Sequence, residues 1–326
     1  MVKELLHCHN NEIYSLSISF DGKRLASATY GSIRVRDCVE WEVILDLSGH
    51  SWWVHCVRFS PDAKLLASAG HDGELFLWDS ETGEKLRTMM GHNSTLAVWE
   101  AAFSPDGRKP ASCSQDATLR VWDIHTAEMI AGLFEAESYC LFFSPDGRTI
   151  ACGSSNSSLV VLDADTGSMI LGPLKRHSSS ICFVAYSPDS STICTGSYDH
   201  TICLWDAATG DLLLEPLRAH KRPVSPVAFS PDGRYILSGS WDNTLKLWNS
   251  ASGELVKFSD SDLWDNEADT LLDLPAVMMP CAAAADVAIR AGLSEGIMDL
   301  LDLSAAAFPS GLSSRQLHPK PRSSTL

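Results

Sequence analysis

The sequence predicts an all-β fold built from one supersecondary unit in tandem copies, and three observations carry that prediction. Strings ending in tryptophan and an acid or amide recur: Leu-Phe-Leu-Trp-Asp at 75–79, Leu-Arg-Val-Trp-Asp at 119–123, Ile-Cys-Leu-Trp-Asp at 202–206 and Leu-Lys-Leu-Trp-Asn at 245–249. Their unit returns every roughly 40–44 residues, a period of stacked supersecondary units rather than of one irregular globule. Between the strings lie short apolar or alternating runs separated by Pro, Asp and Gly clusters, the pattern of strands joined by hairpin turns.

One full unit runs from His50 to Asp79. After the histidine come an alternating run at 54–59, the turn Ser60-Pro61-Asp62-Ala63, a second run at 65–69, His71-Asp72-Gly73 and a third run at 75–78. The turn recurs as Ser104-Pro105-Asp106-Gly107, Ser144-Pro145-Asp146-Gly147, Ser187-Pro188-Asp189-Ser190 and Ser230-Pro231-Asp232-Gly233. Proline presets the first turn angle, aspartate caps the turn backbone and glycine accepts a positive φ. Linkers such as Glu81-Thr82-Gly83 and Ala208-Thr209-Gly210 lead into segments 84–89 and 211–216, expected as a fourth, outer strand.

In order and spacing these elements resemble the WD-repeat (WD40) family, whose four-stranded units form the blades of a β-propeller. The resemblance covers residues 1 to about 258 as one propeller domain. Units anchored at His50, His92, His177 and His220 are complete, the one at His92 with an apparent two-residue insertion at 96–99. The first, from His9 to Asp37, lacks a residue near Gly31 and has Arg36 in place of tryptophan. The fourth, from Phe134 to Asp163, carries Phe134, Cys152, Asn156 and Leu162 where the pattern has histidine, a hydroxyl, aspartate and tryptophan. Blades one and four are therefore expected to be the softer ones.

Recurrent serine, histidine and aspartate invite comparison with a hydrolytic triad. The resemblance implies instead buried hydrogen-bond chains that include the tryptophan indole: His50, Ser68, Asp72 and Trp78; His92, Ser112, Asp116 and Trp122; His177, Thr195, Asp199 and Trp205; His220, Ser238, Asp242 and Trp248. An imidazole oriented by aspartate on one nitrogen and satisfied by a hydroxyl on the other offers no exposed nucleophile, and a triad is defined by geometry rather than composition. No enzyme activity, cofactor or metal is expected. The ten cysteines form no Cys-x-x-Cys pair and no cluster with zinc-ligand spacing, which favours buried free thiols.

Six three-strand units are visible, with outer-strand candidates at 3–8, between successive units and at 254–258. Two arrangements stay open here: an incomplete seven-bladed array, and a six-unit ring latched by its N-terminal strand. The first is preferred because seven is the commonest blade number in the family. Residues 259–326 form an acidic and then Ala/Leu-rich tail, expected to be irregular or partly helical. It opens with Asp260, Asp262, Asp265, Glu267, Asp269 and Asp273 and no basic residue among them.

The net charge of −16 argues against a nucleic-acid backbone as direct partner and favours basic ones. No stretch approaches the ~18 consecutive apolar residues of a membrane span. The start, Met1-Val2-Lys3-Glu4-Leu5-Leu6-His7, lacks the apolar core of a signal peptide. The expectation is a cytoplasmic protein, with the nucleus open because His318-Pro319-Lys320-Pro321-Arg322 is too short to count as an import signal. By the family pattern, partners bind around the central channel, where this sequence would place Tyr14, Tyr30, Trp53, His55, His71, Trp99, Gln115, Tyr139, Tyr198, Ser225 and Trp241. Aromatic residues dominate interface hot spots. The expected function is an interaction scaffold for protein or peptide partners within a multiprotein complex. A second expectation is a regulatory or sensing module of a larger signalling NTPase of the fungal incompatibility type, here without its ATPase part.

Overall fold

Six successive antiparallel blades make up the described part of the chain in a computed structural model that describes residues 12–93, 95–132 and 138–256. His9, Phe134, the strand expected at 3–8 and the tail at 259–326 lie outside the described residues. The first blade contains β1 (Ser15–Ile18), β2 (Arg24–Ala28), β3 (Tyr30–Asp37) and the start of β4 (Val43–Phe59). The end of β4 opens the second, with β5 (Leu65–Gly70), β6 (Leu75–Asp79) and β7 (Lys85–Met89). The third holds β8 (Val98–Phe103), β9 (Pro110–Ser114), β10 (Leu119–Trp122) and β11 (Met129–Gly132); the fourth, β12 (Ser138–Phe143), β13 (Thr149–Ser154), β14 (Ser158–Asp163) and β15 (Met169–Lys175). The fifth comprises β16 (Ile181–Tyr186), β17 (Thr192–Ser197), β18 (Thr201–Asp206) and β19 (Leu217–Arg218), and the sixth β20 (Val224–Phe229), β21 (Tyr235–Ser240) and β22 (Thr244–Asn249).

Besides the outer strand expected at 254–258, which among the described residues is only an isolated bridge of Leu255 to Trp248, two elements depart from the sequence expectation. The outer strand of the fifth blade is expected at 211–216, but β19 pairs with β18 only at Leu217 and Arg218, while Leu212 makes an isolated bridge to Trp205. Pro216 has no N–H to give to a ladder, so pairing resumes one residue after it. The other departure is β4, one continuous strand whose ends serve two blades, so that the first two blades share a seven-stranded sheet. Its Trp53 pairs with Tyr30 across the junction, which fixes both rings at the same edge.

The hairpins obey their turn chemistry. In the second blade the Ser60 hydroxyl donates to Asp62 at 2.6 Å, and the Lys64 and Leu65 N–H groups donate back to Asp62 Oδ1 and Ser60 Oγ. The last turn position is left-handed, with φ of 72° at Gly107 but 58° at Ala63 and 63° at Ser190, where a side chain accepts that conformation.

Apolar side chains alternate along each strand between the two faces of its blade. Ile33 and Val35 of the first blade pack with Phe76 and Trp78 of the second, and Leu75 and Leu77 of the second with Trp122 of the third. Val121 packs with Leu162, Val161 with Trp205, and Leu204 with Trp248 in the next three junctions. Six blades are thus joined by five interblade cores among the described residues. The innermost strands β1, β4, β8, β12, β16 and β20 adjoin one another in that order, and no comparable packing joins β20 to β1 among the described residues. A ring closed on six blades would need that sixth junction.

Candidate functional site

The four tetrads are assembled from the segment that enters each inner strand, a loop at His92, His177 and His220 but the middle of β4 at His50, together with the second strand, the turn after it and the third strand. His50 Nδ1 lies 3.0 Å from Asp72 and Nε2 2.8 Å from Ser68 Oγ, which also accepts the Trp78 indole N–H at 2.8 Å. His92 reaches Asp116 at 3.0 Å and Ser112 at 2.8 Å, and Trp122 donates to Ser112 at 2.9 Å. His177 reaches Asp199 at 3.0 Å and Thr195 at 2.7 Å, with Trp205 donating to Thr195 at 3.0 Å. His220 lies 3.3 Å from Asp242 and 2.8 Å from Ser238, to which Trp248 donates at 2.8 Å.

These contacts set the electrostatics of the aspartates and of His92 and His220. Burial opposes ionisation of Asp116, but the Thr118 hydroxyl, the Asn93 N–H and His92 outweigh it and hold the carboxyl at about 2. Against the same opposing burial, imidazole, hydroxyl and backbone donors keep Asp72, Asp199 and Asp242 below the usual carboxylate range. Burial lowers His92 and His220. A neutral imidazole beside a carboxylate carries its proton on Nδ1 and donates it there; Nε2 then accepts the hydroxyl proton, and the hydroxyl oxygen accepts the indole N–H. Ser68, Ser112, Thr195 and Ser238 are all 0% exposed, so the hydroxyl a hydrolase would use is held where no substrate can reach it.

The residues of the expected binding rim fall into two groups. Tyr14, Tyr30, Trp53, His55, His71, Trp99 and Tyr139 form one network of ring contacts across the first four blades. Tyr198 and Trp241 form a separate edge-on pair at 5.4 Å on the last two blades. Gln115 is exposed in the turn after β9, and Ser225 is half-buried on β20; neither belongs to a ring cluster.

Three features of this rim escape a reading of the sequence. Trp52 completes the larger network, 5.5 Å from Trp53 and stacked on His71 at 5.8 Å, and together with Tyr30 it is its most exposed member, at 45% and 46%. The tandem Trp52-Trp53 is its only signal, because reasoning by one position per repeat selects Trp53 alone. Second, His55 Nε2 and His71 Nδ1 lie 2.9 Å apart. Burial first, then the neighbouring His71, pushes His55 down to about 3, so at neutral pH one ring donates and the other accepts.

The third feature lies beneath the rings. Arg58 on β4 and Glu100 on β8 pair at 2.6 Å with their side chains 6% and 8% exposed. Arg58 also donates to Ser15 Oγ on β1, and the Cys56 thiol donates to Glu100 at 3.1 Å. This one ion pair ties three blades together under the aromatic network. Among the described residues no group of three or more His, Cys, Asp or Glu could hold a metal ion.

Comparison with known proteins matches this architecture. The family model of the IFT122 first beta-propeller matches residues 12–202, and that of the WD domain, G-beta repeat, matches residues 211–249. WD repeat-containing protein 1-B of Xenopus laevis is 58% identical over 45 residues, 14% of this chain and 7% of that protein. Small ribosomal subunit protein RACK1 of Candida albicans is 40% identical over 53 residues, 16% of this chain and 17% of that protein. Protein HIR1 of Phaeosphaeria nodorum is 33% identical over 92 residues, 26% of this chain and 9% of that protein. The chain therefore spans under a fifth of the length of each of these relatives. With repeated blades, four indole-terminated tetrads and a family model matching more than half of its residues, the chain belongs to the WD-repeat β-propeller family.

Proposed function

We propose that this protein is a non-enzymatic interaction scaffold, cytoplasmic, that seats a protein or peptide partner on the aromatic rim of its first four blades. The observation that carries the reading is the network itself: eight rings in mutual contact, none of them demanded by the repeat, with Trp52 and Tyr30 nearly half exposed. Exposed aromatic patches on this scale are typical of partner surfaces, and rigid aromatic side chains lose little entropy on binding. The acidic charge of −16 favours a basic partner.

The test is binding to arrayed peptides of graded charge, using the full chain and its Trp52→Ala and Trp53→Ala variants. Basic, aromatic-containing peptides should be retained by the parent chain and lost by both variants. Equal retention by all three proteins would remove the rim from the mechanism, and a preference for acidic peptides would remove the charge argument.

A further inference from the structure

The fifth and sixth blades carry the same strand pattern, yet their forward faces are in different surroundings. On the fifth blade Cys194, Ile202 and Leu204 are at most 1% exposed because Ile236 and Trp248 of the sixth blade cover them. The equivalent residues on the sixth blade are Leu237, Leu245 and Leu247. Leu245 is 37% exposed where Ile202 is 0%, and Leu237 and Leu247 are part-exposed. In place of Phe183, Pro226 is likewise part-exposed. This is a blade face built for burial, with side chains of interior type, and none of its leucines belongs to any interblade core among the described residues.

We propose that residues 274–303 of the same chain cover this face. The described chain leaves the sixth blade at its outer edge, where Leu255 bridges Trp248 and the Val256 N–H donates to Leu247, so the chain beyond Val256 is tethered beside the uncovered leucines. The segment has the composition such a face would accept. Leu274-Pro275-Ala276-Val277-Met278-Met279-Pro280-Cys281 and Ala282 to Ala285 contain no charge, and Val287, Ile289, Leu293, Ile297 and Met298 come next with few. Residues 257–273, at up to ~3.3 Å each, span far more than the ~5 Å between neighbouring strands. Tethering holds the segment at a roughly millimolar effective concentration, which favours it over a second copy of the chain at ordinary protein concentrations. Acidic residues between Asp260 and Asp273 keep the intervening stretch in solvent while the apolar part is buried.

Hydrogen exchange with mass spectrometry on the full chain tests this. Amides of 274–303 should exchange more slowly than their intrinsic rate and lose that protection in Leu245→Asp/Leu247→Asp, while β16, β17 and β18 stay protected. Exchange at the intrinsic rate in the parent chain, or equal protection in both proteins, would overturn the proposal. Should the double variant fail to fold, Leu245→Cys supplies the second measurement. A bismaleimide link between the introduced thiol and Cys281 within one chain is the expected product. No link, or a link found only between two chains, overturns the proposal, the latter by identifying a second copy as the cover.

Discussion

The upper rim of the first four blades and that of the last two rest on the same foundation and differ in nearly everything else. Both sectors contain His-Ser/Thr-Asp-Trp tetrads of matching geometry: His50 and His177 each stand 3.0 Å from their aspartate and within 2.8 Å of their hydroxyl. Above them, the first sector has eight interlocking rings, a paired histidine couple and a buried ion pair, where the second has Tyr198 and Trp241 alone as a ring pair. What repeats holds the blades up. What does not repeat is where a partner-specific surface can be written, because a residue free of the repeat's packing demands is free to be selected for something else.

The sharpest break in that comparison lies at Arg58 and Glu100. Replacing one partner of a buried ion pair strands the other charge, so Arg58→Ala or Glu100→Ala should destabilise the protein by about 3–5 kcal/mol, read as a shift in urea midpoint. The paired change Arg58→Met with Glu100→Leu should recover most of that loss. A single variant that unfolds at the parent midpoint would mean the pair does not tie the first three blades together. The last two blades offer no matching ion pair among the described residues.

Binding separates the sectors next. Trp52→Ala should weaken partner binding by about 2 kcal/mol or more, roughly thirtyfold, with stability within ~0.5 kcal/mol of the parent because the side chain is half in solvent. Trp241→Ala should leave affinity nearly unchanged. The reverse ranking, measured by titration calorimetry with a captured peptide, would move the site to the last two blades.

The tetrads should erase the difference. Asp72→Ala leaves the His50 imidazole N–H and the Ser51 N–H without their acceptor, and Asp199→Ala does the same to the Ser178 N–H while leaving His177 Nδ1 only the Thr201 hydroxyl at 3.1 Å. Each should cost about 1–3 kcal/mol, and the two losses should agree closely in thermal melts. A large loss at Asp72 with none at Asp199 would show that the repeat's foundation is uneven. In the fourth blade Asn156 stands in the aspartate position and Leu162, fully buried, in that of the tryptophan. Apolar burial replaces the polar chain there, so Asn156→Ala should cost less than either aspartate variant.

Legibility in the sequence divides along the same line. A feature present in several copies announces itself by internal echo, which is why most strands and turns can be placed from residues alone, while the four tetrads come from the family resemblance that those echoes carry. Arg58, Glu100 and Trp52 occur once. In strand alternation Arg58 reads as an ordinary solvent-facing charge, and only the approach of β8 to β4 shows that Glu100 waits opposite. The aromatic rim falls between these cases: position selects its members, but that seven of them meet while Tyr198 and Trp241 stand apart depends on spatial order around the channel. The fifth blade's outer strand is misplaced by the sequence because a local apolar run at 211–216 outweighs the missing N–H of Pro216.

The smallest expected effect is the one most specific to the first sector. His55 is held neutral, down to about 3 against an ordinary 6.5, by burial and by His71, which burial also lowers. As pH falls below 6.5 the unfolded chain takes up a proton that folded His55 refuses, so stability present above that pH is lost progressively as pH falls towards the folded value. One unit of that interval, from pH 6.5 to 5.5, is worth about 1 kcal/mol, and it lies above the range in which the tetrad carboxylates titrate. His92 and His220, also lowered by burial, contribute losses of the same sign, so His55→Gln should flatten the melting-temperature profile over this interval without abolishing its slope. An unchanged slope would show that the His55–His71 couple does not resist protonation, and with it would go the argument that the first sector's rim is a rigid, preorganised surface rather than a collection of rings.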